Sequence, residues 1–347
     1  MRRLRTMKVA AVGTALALTA ACGGGGATQE GSGNGDGQFV IGVSNTLAGN
    51  GWREQMVCSI KAEALASGQV SEVVVISENA GPTEQVQHLQ NLISQGVDAI
   101  VVNPSDPEQL NGIIEQADAQ GIAVVSVDSA VSTDAAHVVT NDQVEWGRLG
   151  MEWLAEEVGG QGELLYVRGI EGVQADVDRH KGVMAALEEY PDITLRTVWS
   201  GWDYTKAGEQ AVQQFSAGDF AGVWTTGADY TVVNAIQSAG KEAVPVTGQD
   251  TNAFLGQLIE GAPGAVVTNP AVIGAVGTDI ALKVLNGEDV TRETTLTPEL
   301  WSMEEDTQRM TEAYDPQRPP TSSAAVDIDY PLQMTKEQLY ACTGPGE

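Results

Sequence analysis

The chain has 347 residues, with 18 Lys+Arg against 47 Asp+Glu, a formal net charge of −29 and a mean hydropathy of −0.11. Such acidity repels phosphate backbones and anionic lipid, which excludes nucleic acid and a charged bilayer surface as partners. The length is enough for two globular lobes, each with its own core.

The chain opens on a basic start, Arg2, Arg3, Arg5 and Lys8, followed by an uncharged apolar stretch over residues 9–21. That stretch is too short to span a bilayer as a helix and has the shape of a signal peptide, so residues 1–21 are expected to be removed on export. Leu18-Thr19-Ala20-Ala21 precedes Cys22, and the run from Cys22 through Gly26 resembles the lipobox and tether of a bacterial lipoprotein, in which the cysteine becomes the lipidated first residue. Thr19 stands where that pattern usually has a larger aliphatic residue. The alternative is ordinary cleavage and a free cysteine; either route places the protein outside the cytoplasm. Residues 22–38 then read as a flexible Gly-rich tether, and no later uncharged apolar run is long enough for a membrane span. The expected attachment to a membrane is through the lipid anchor alone. Two cysteines remain, Cys58 and Cys342. An oxidising compartment permits a disulfide that would pin the C-terminal tail to the first helix; two unpaired thiols are the alternative.

From Phe39 onward, short β-branched runs alternate with amphipathic stretches. Strands are predicted at 40–43, 73–76, 99–102, 124–127 and 137–140, with helices near 52–67, 83–95 and 107–120. Ser105-Asp106-Pro107 reads as a capped helix start, and Gly96 and Gly121 as helix stops. The rhythm repeats with strands near 163–168, 194–199, 222–225, 244–248 and 265–268 and helices near 143–158, 175–189, 204–217, 229–239 and 251–261. One more helix follows over 270–286, then an irregular, Pro-rich tail over 300–347. Continuous apolar strands joined by helices predict an α/β fold of two doubly wound parallel-sheet lobes, with a cleft where the carboxyl ends of the strands face each other.

Polar and aromatic residues gather just after the predicted strands: Asn45, Trp52 and Arg53 after the first, Asp128 after the fourth, Asn141 after the fifth. In the second half come Asp176, Asp178 and Arg179, then Trp202, Asp229, Asp250 and Asn269. All are expected to face the cleft. Carboxylates accept from hydroxyls, amides both donate and accept, arginine donates to oxygens, and tryptophan covers the C–H face of a sugar. This is the chemistry that holds an uncharged polyhydroxylated ligand. An enzyme is not expected. His88, His137 and His180 lie in no metal-ligand spacing, no GxSxG elbow or P-loop occurs, and no cofactor or metal is implied.

In this order the segments VIGVSN (40–45), GVDAIVVNPSDPEQL (96–110), GIAVVSVDS (121–129), TNDQVEWGRLG (140–150), DRHKGVMAALEEYPDI (178–193), WDYTKAGEQ (202–210) and VTNPAVIG (267–274) resemble the ribose/galactose-type substrate-binding proteins of bacterial ABC sugar importers. The Trp52-Arg53 pair is more similar to the branch with a galactofuranose-binding member than to the ribose-binding branch. The resemblance implies a type I periplasmic-binding-protein fold with a three-stranded hinge near 140–143, 268–271 and 295–300. It implies an N-terminal lobe of 39–140 plus 270–298, a C-terminal lobe of 141–269, and a tail from 299 to 347 packing on the lobes, held by Cys342.

For the ligand, the resemblance implies that Asp128 and Asp250 accept sugar hydroxyls, one from each lobe, and that Trp202 stacks on the ring. The strict match to the family's ribose-contacting arginine is Val177, two positions before Arg179, with Asp176 or Asp178 as alternative contacts. Ala228, Thr268 and Ser129 also depart from the family pattern, leaving Asp229 and Asn269 as the nearer polar groups and implying a ligand other than ribose. The implied function is capture of a small sugar or polyol by a monomer that closes about its hinge and docks on an ABC importer permease. The alternative is a sensory binding protein that presents the closed form to a receptor or kinase.

Overall fold

The computed structural model describes residues 38–347. The expected signal peptide, Cys22 and the tether up to residue 37 lie outside the described residues.

The first sheet is built from β1 (Phe39–Asn45), β2 (Val70–Ser77), β3 (Ala99–Val102), β4 (Ala123–Val127), β5 (His137–Asn141) and β11 (Glu293–Leu296), in the order β11-β5-β4-β3-β1-β2. The second comprises β6 (Gln161–Arg168), β7 (Asp192–Trp199), β8 (Gly222–Thr225), β9 (Val246–Gln249), β10 (Gly264–Val267) and β12 (Leu300–Ser302), in the order β12-β10-β9-β8-β6-β7. Every pairing is parallel except that of β10 with β12. The first five strands of each lobe therefore repeat one topology, and the order reverses at β1 and again at β6, where open sheets of this kind leave a crevice beyond the strand ends. The strands β3 (AIVV) and β4 (AVVSV) are buried at every position, because helices cover both faces.

The helices between the strands are α1 (Gly51–Ser67), α2 (Pro82–Gln95), α3 (Asn111–Asp118), α4 (Gln143–Glu157), α5 (Gln174–Leu187), α6 (Tyr204–Ala217), α7 (Asp229–Ser238), α8 (Asn252–Ile259) and α9 (Ile273–Leu285). Side chains cap several of them: Asn50 accepts from the Arg53 N–H at 3.1 Å, Asp142 from Glu145 at 2.9 Å and Asp203 from Lys206 at 2.9 Å. The helix expected from residue 107 starts instead at Asn111. Asp106 spends its carboxylate on the N–H groups of Glu108 and Gln109, which makes a turn before the helix rather than its cap. Helices α4 and α5 touch backbone to backbone: a Cβ on Gly147 would lie 2.1 Å from the Arg179 carbonyl, and one on Gly182 1.9 Å from that of Val144. This close approach sets Gln143 and Arg179 side by side.

The chain passes from the first sheet to the second after β5, back after β10, and over again between β11 and β12. The expectation of an irregular tail is corrected. Leu300–Ser302 is the antiparallel edge strand β12, and α10 (Thr307–Ala313) and α11 (Lys336–Ala341) follow. Cys58 and Cys342 are joined in a disulfide, with Cα atoms 4.5 Å apart. None of the described helices is long and apolar enough to cross a membrane.

Candidate functional site

Between the lobes lies a narrow cavity with about 30 Å³ of room for water-sized groups. The first lobe contributes Leu47, Asn50, Trp52, Arg53 and Asp128; the second contributes Ala175, Arg179, Trp202, Tyr204, Thr226 to Ala228 and Gln249, with Asn269 from the crossover after β10. The lobes meet across it, since the Asn50 amide donates to the Trp202 carbonyl at 3.1 Å and the Gln143 amide to Asp128 at 3.3 Å.

Of the twelve residues expected to face the cleft, Trp52, Arg53, Asp128, Arg179, Trp202 and Asn269 line the cavity. Asp128 follows β4 at φ 67°, at the centre of a γ-turn in which the Ser129 N–H donates to the Val127 carbonyl at 2.8 Å. Backbone of this kind is strained, and it aims the carboxylate away from the sheet and into the cleft. Its nearest partners are loosely placed: Asn103 Nδ2 at 3.4 Å, Gln143 Nε2 at 3.3 Å and Arg53 Nη2 at 4.0 Å. Acceptor capacity is left over.

The two arginines are almost fully buried, 6% exposed for Arg53 and 3% for Arg179. Burial pushes both pKa values down and Asp128 pulls both back up. Arg179 lies on the Trp146 ring at 4.2 Å and donates to Gln143 Oε1 at 2.7 Å and Thr226 Oγ1 at 2.5 Å. Trp202 also takes a positive φ, 57°, and its indole occupies the space a Cβ on Gly169 would need, 2.2 Å from Cε2. Trp52 is fixed by its indole N–H, which donates to the Asn269 carbonyl at 2.6 Å.

The other six do not reach the cavity, and the expectation that all twelve face it is corrected for each. Asn45 stands behind Arg53, accepting from Nη1 at 3.4 Å and donating to Ser77 at 2.9 Å. Asn141 is held in the hinge by the Thr268 carbonyl at 3.1 Å and Asn269 Oδ1 at 3.2 Å. Asp176 turns to the end of β6, where Arg168 and the Gly169 N–H bind it at 2.5 and 2.9 Å. Asp178 is tied to Lys181 and Gln174 and borders a separate groove beside Ser129 and Asp142.

Asp229 points inward at the start of α7. It accepts from Thr225 at 2.6 Å, from the Gln249 N–H at 2.9 Å and from Thr251 at 2.8 Å, over Gly248, where a Cβ would clash at 1.8 Å. Burial pushes its pKa up to about 6, against these hydrogen bonds. Asp250 is also fully buried, with its carboxylate taken by the Asn269 N–H, the Ser323 hydroxyl and the Ala325 N–H, each at 2.7 Å. Burial raises its pKa too.

Polar residues absent from the expected set but present at the cavity are Asn50, Tyr204, Thr226 and Gln249. Thr226 and Gln249 directly follow the strands predicted at 222–225 and 244–248, so the same post-strand rule, applied to every polar residue there, would have reached both.

The pattern of the periplasmic binding protein domain matches residues 41–289. The chain belongs to that family. Ribose import binding protein RbsB of Bacillus subtilis is 25% identical over 259 residues, covering 73% of this chain and 84% of that protein. The xylitol-binding protein of Mycolicibacterium smegmatis is 30% identical over 231 residues, 63% of this chain and 65% of that one. Among solved structures, the ABC transporter solute binding protein of Thermobispora bispora superposes with a TM-score of 0.72 at 25% identity, covering 82% of this chain and 99% of its own. A galactofuranose binding protein gives 0.73 at 19% identity, covering 79% and 98%, and shares the fold. These relatives are substrate-binding proteins, not enzymes, and this periplasmic binding protein shares their two-lobed parallel-sheet architecture.

Proposed function

We propose that this protein captures a small neutral sugar or polyol in the interlobe cavity and delivers it to the permease of an ABC importer. The observation that carries the reading is the cavity wall itself: one carboxylate with spare acceptor sites, two buried guanidiniums and two tryptophans, contributed by both lobes. Asp128 accepts hydroxyl protons, Arg53 and Arg179 donate to ring or hydroxyl oxygens, and Trp52 and Trp202 cover apolar ring faces. Asp176 and Asp229 lie near Arg179 as further counter-charges, so the surroundings hold no large excess of positive charge and suit a neutral ligand. Relatives that carry ribose, xylitol or galactofuranose in their names support the substrate class. A ligand that contacts both lobes favours the closed form, and that form is what a permease would recognise. Lipidation at Cys22 would keep the body at the outer face of the membrane.

The test is a thermal-shift screen of residues 38–347 against pentoses, hexoses, furanosides, polyols and inositols. A ligand at a thousand times its Kd adds about 4 kcal/mol to the folded state, enough to raise the melting temperature by several degrees. A flat response across the whole panel would refute the sugar or polyol reading.

A further inference from the structure

The C-terminal tail leaves the second lobe and ends on the first. After β12 and α10 it runs across α8, where Asn252 donates to the Asp315 carbonyl at 2.8 Å and the Asn252 N–H to that of Ser322 at 2.8 Å. Farther along it is bound to the first lobe. Tyr330 donates to Asp279 at 2.5 Å, the Gln333 and Met334 N–H groups to the Glu63 carboxylate at 2.9–3.1 Å, and Cys342 is bonded to Cys58.

The change of lobe is centred on Ser323, with the Ala324 and Ala325 N–H groups beyond it still bound to Asp250. Its N–H donates to Gln55 Oε1 at 2.6 Å and its carbonyl accepts from Gln55 Nε2 at 3.1 Å, a two-bond pairing with α1 of the first lobe. Its hydroxyl donates at 2.7 Å to Asp250, at the end of β9 in the second lobe. The other oxygen of Asp250 takes the N–H of Asn269, whose carbonyl holds the Trp52 indole at the cavity. Gln55 is 7% exposed, and Ser323 and Asp250 are fully buried.

We infer that Gln55, Ser323 and Asp250 form a latch that sets ligand affinity through the closed state of the lobes without touching the ligand. They are positioning residues. A hinge motion that draws α1 away from the end of β9 has two routes. It breaks the Gln55–Ser323 pairing, or it drags a strap that the disulfide at Cys58 ties to α1 three residues from Gln55, with Lys61 bound to Glu347 on the same helix. Bonds made in the closed form and lost in the open one raise the closed population of the free protein, and apparent affinity rises in proportion to that population. The inference rests on the reading of the cavity as the binding cleft, but its first readout needs no ligand.

The experiment compares the parent with Gln55→Leu, with Ser323→Ala, and with the double variant Cys58→Ser, Cys342→Ser. Small-angle scattering without ligand reads the opening of the lobes. Stopped-flow tryptophan fluorescence with ribose, xylitol, galactose and myo-inositol then reads association and dissociation rates. We expect a larger ligand-free radius of gyration in Gln55→Leu and Ser323→Ala. For any of the four probes that binds, dissociation should be at least fivefold faster and association within twofold of the parent. A lower melting temperature with an unchanged scattering curve and unchanged dissociation rate would overturn the latch and leave the tail a passive staple. If Gln55→Leu fails to fold, Ser323→Ala keeps the backbone pairing and decides alone. If no probe binds the parent, the cleft reading fails for those ligands while the scattering still decides the latch.

Discussion

Asp128→Asn isolates the cavity's carboxylate with the least disturbance to the fold. Asparagine tolerates the positive φ of 67° that Asp128 adopts, so the γ-turn survives where alanine would add strain. The change keeps volume and removes a charge. A hydrogen bond from a ligand hydroxyl to a carboxylate is worth about 1.5–3 kcal/mol, so losing one weakens binding by roughly 10- to 150-fold, and losing two abolishes detectable binding. The same change takes away the counter-charge 4.0 Å from Arg53. At an effective dielectric constant near 20 that attraction is roughly 4 kcal/mol, offset in large part because the carboxylate no longer has to be desolvated. The unliganded melting temperature should therefore fall too, and the titration belongs at a temperature where circular dichroism shows the variant folded. Isothermal titration with the best ligand of the sugar panel is the assay. Binding within threefold of the parent would refute Asp128 as a ligand acceptor and with it the orientation assigned to the γ-turn.

Gly169→Ala should mimic Trp202→Ala, because its Cβ would occupy the indole's position. Both should weaken binding at least tenfold and reduce the ligand-induced change in tryptophan fluorescence, and an unchanged Kd for Gly169→Ala would show that the ring is not a cavity wall. Reducing the disulfide, or Cys58→Ser, opens a link across 284 residues. In the chain-entropy limit this costs roughly 5–6 kcal/mol, or roughly 8 °C for a body of this size, and dithiothreitol should leave the melting temperature of Cys58→Ser unchanged. Asp229, with a folded pKa raised to about 6 by burial, binds a proton between pH 4 and 6 that the unfolded chain has released. Stability should therefore fall by about 3 kcal/mol as pH rises through that window and level off above it. Chemical denaturation at pH 4.5 and 7 should show that slope in the parent and lose it in Asp229→Asn.

Strand positions were legible because β3 and β4 are short apolar runs rich in valine and isoleucine, which suit a parallel sheet covered on both faces. The cavity wall was legible in part, because the carboxyl ends of parallel strands converge on it. Post-strand position does not say which way a side chain turns, however. Asp176 was drawn to Arg168 and Asp229 to two threonine hydroxyls and a backbone N–H, partners brought near only by folding. The helix expected at Pro107 failed for a local reason of the same kind, since Asp106 found two N–H groups in a tighter turn. The tail's strand and helices were hidden because β12 has three residues and exists only as an edge on β10.

Asp128 and Asp250 show how far one topological position can diverge within one chain. Each follows the fourth strand of its lobe's repeat, and each sits at the centre of a γ-turn, with the Ser129 N–H donating to Val127 and the Thr251 N–H to Gln249. At φ 67° Asp128 points at the cleft, with neighbours at 3.3 Å or beyond. Asp250 lacks the positive φ and turns the other way, to three donors at 2.7 Å, two of them from the tail. A carboxylate that has three short bonds and no exposed surface has little to offer a ligand, so under the proposed function the second lobe's share of recognition would fall to Arg179, Thr226, Gln249 and Trp202, which line the cavity. Asp250→Asn should then act as a latch variant rather than a contact variant. One oxygen is lost to Ser323 or Asn269, and dissociation should quicken for every ligand of the protein by a similar factor. A loss of affinity that depended strongly on the ligand's hydroxyl pattern would mean instead that Asp250 reaches the sugar.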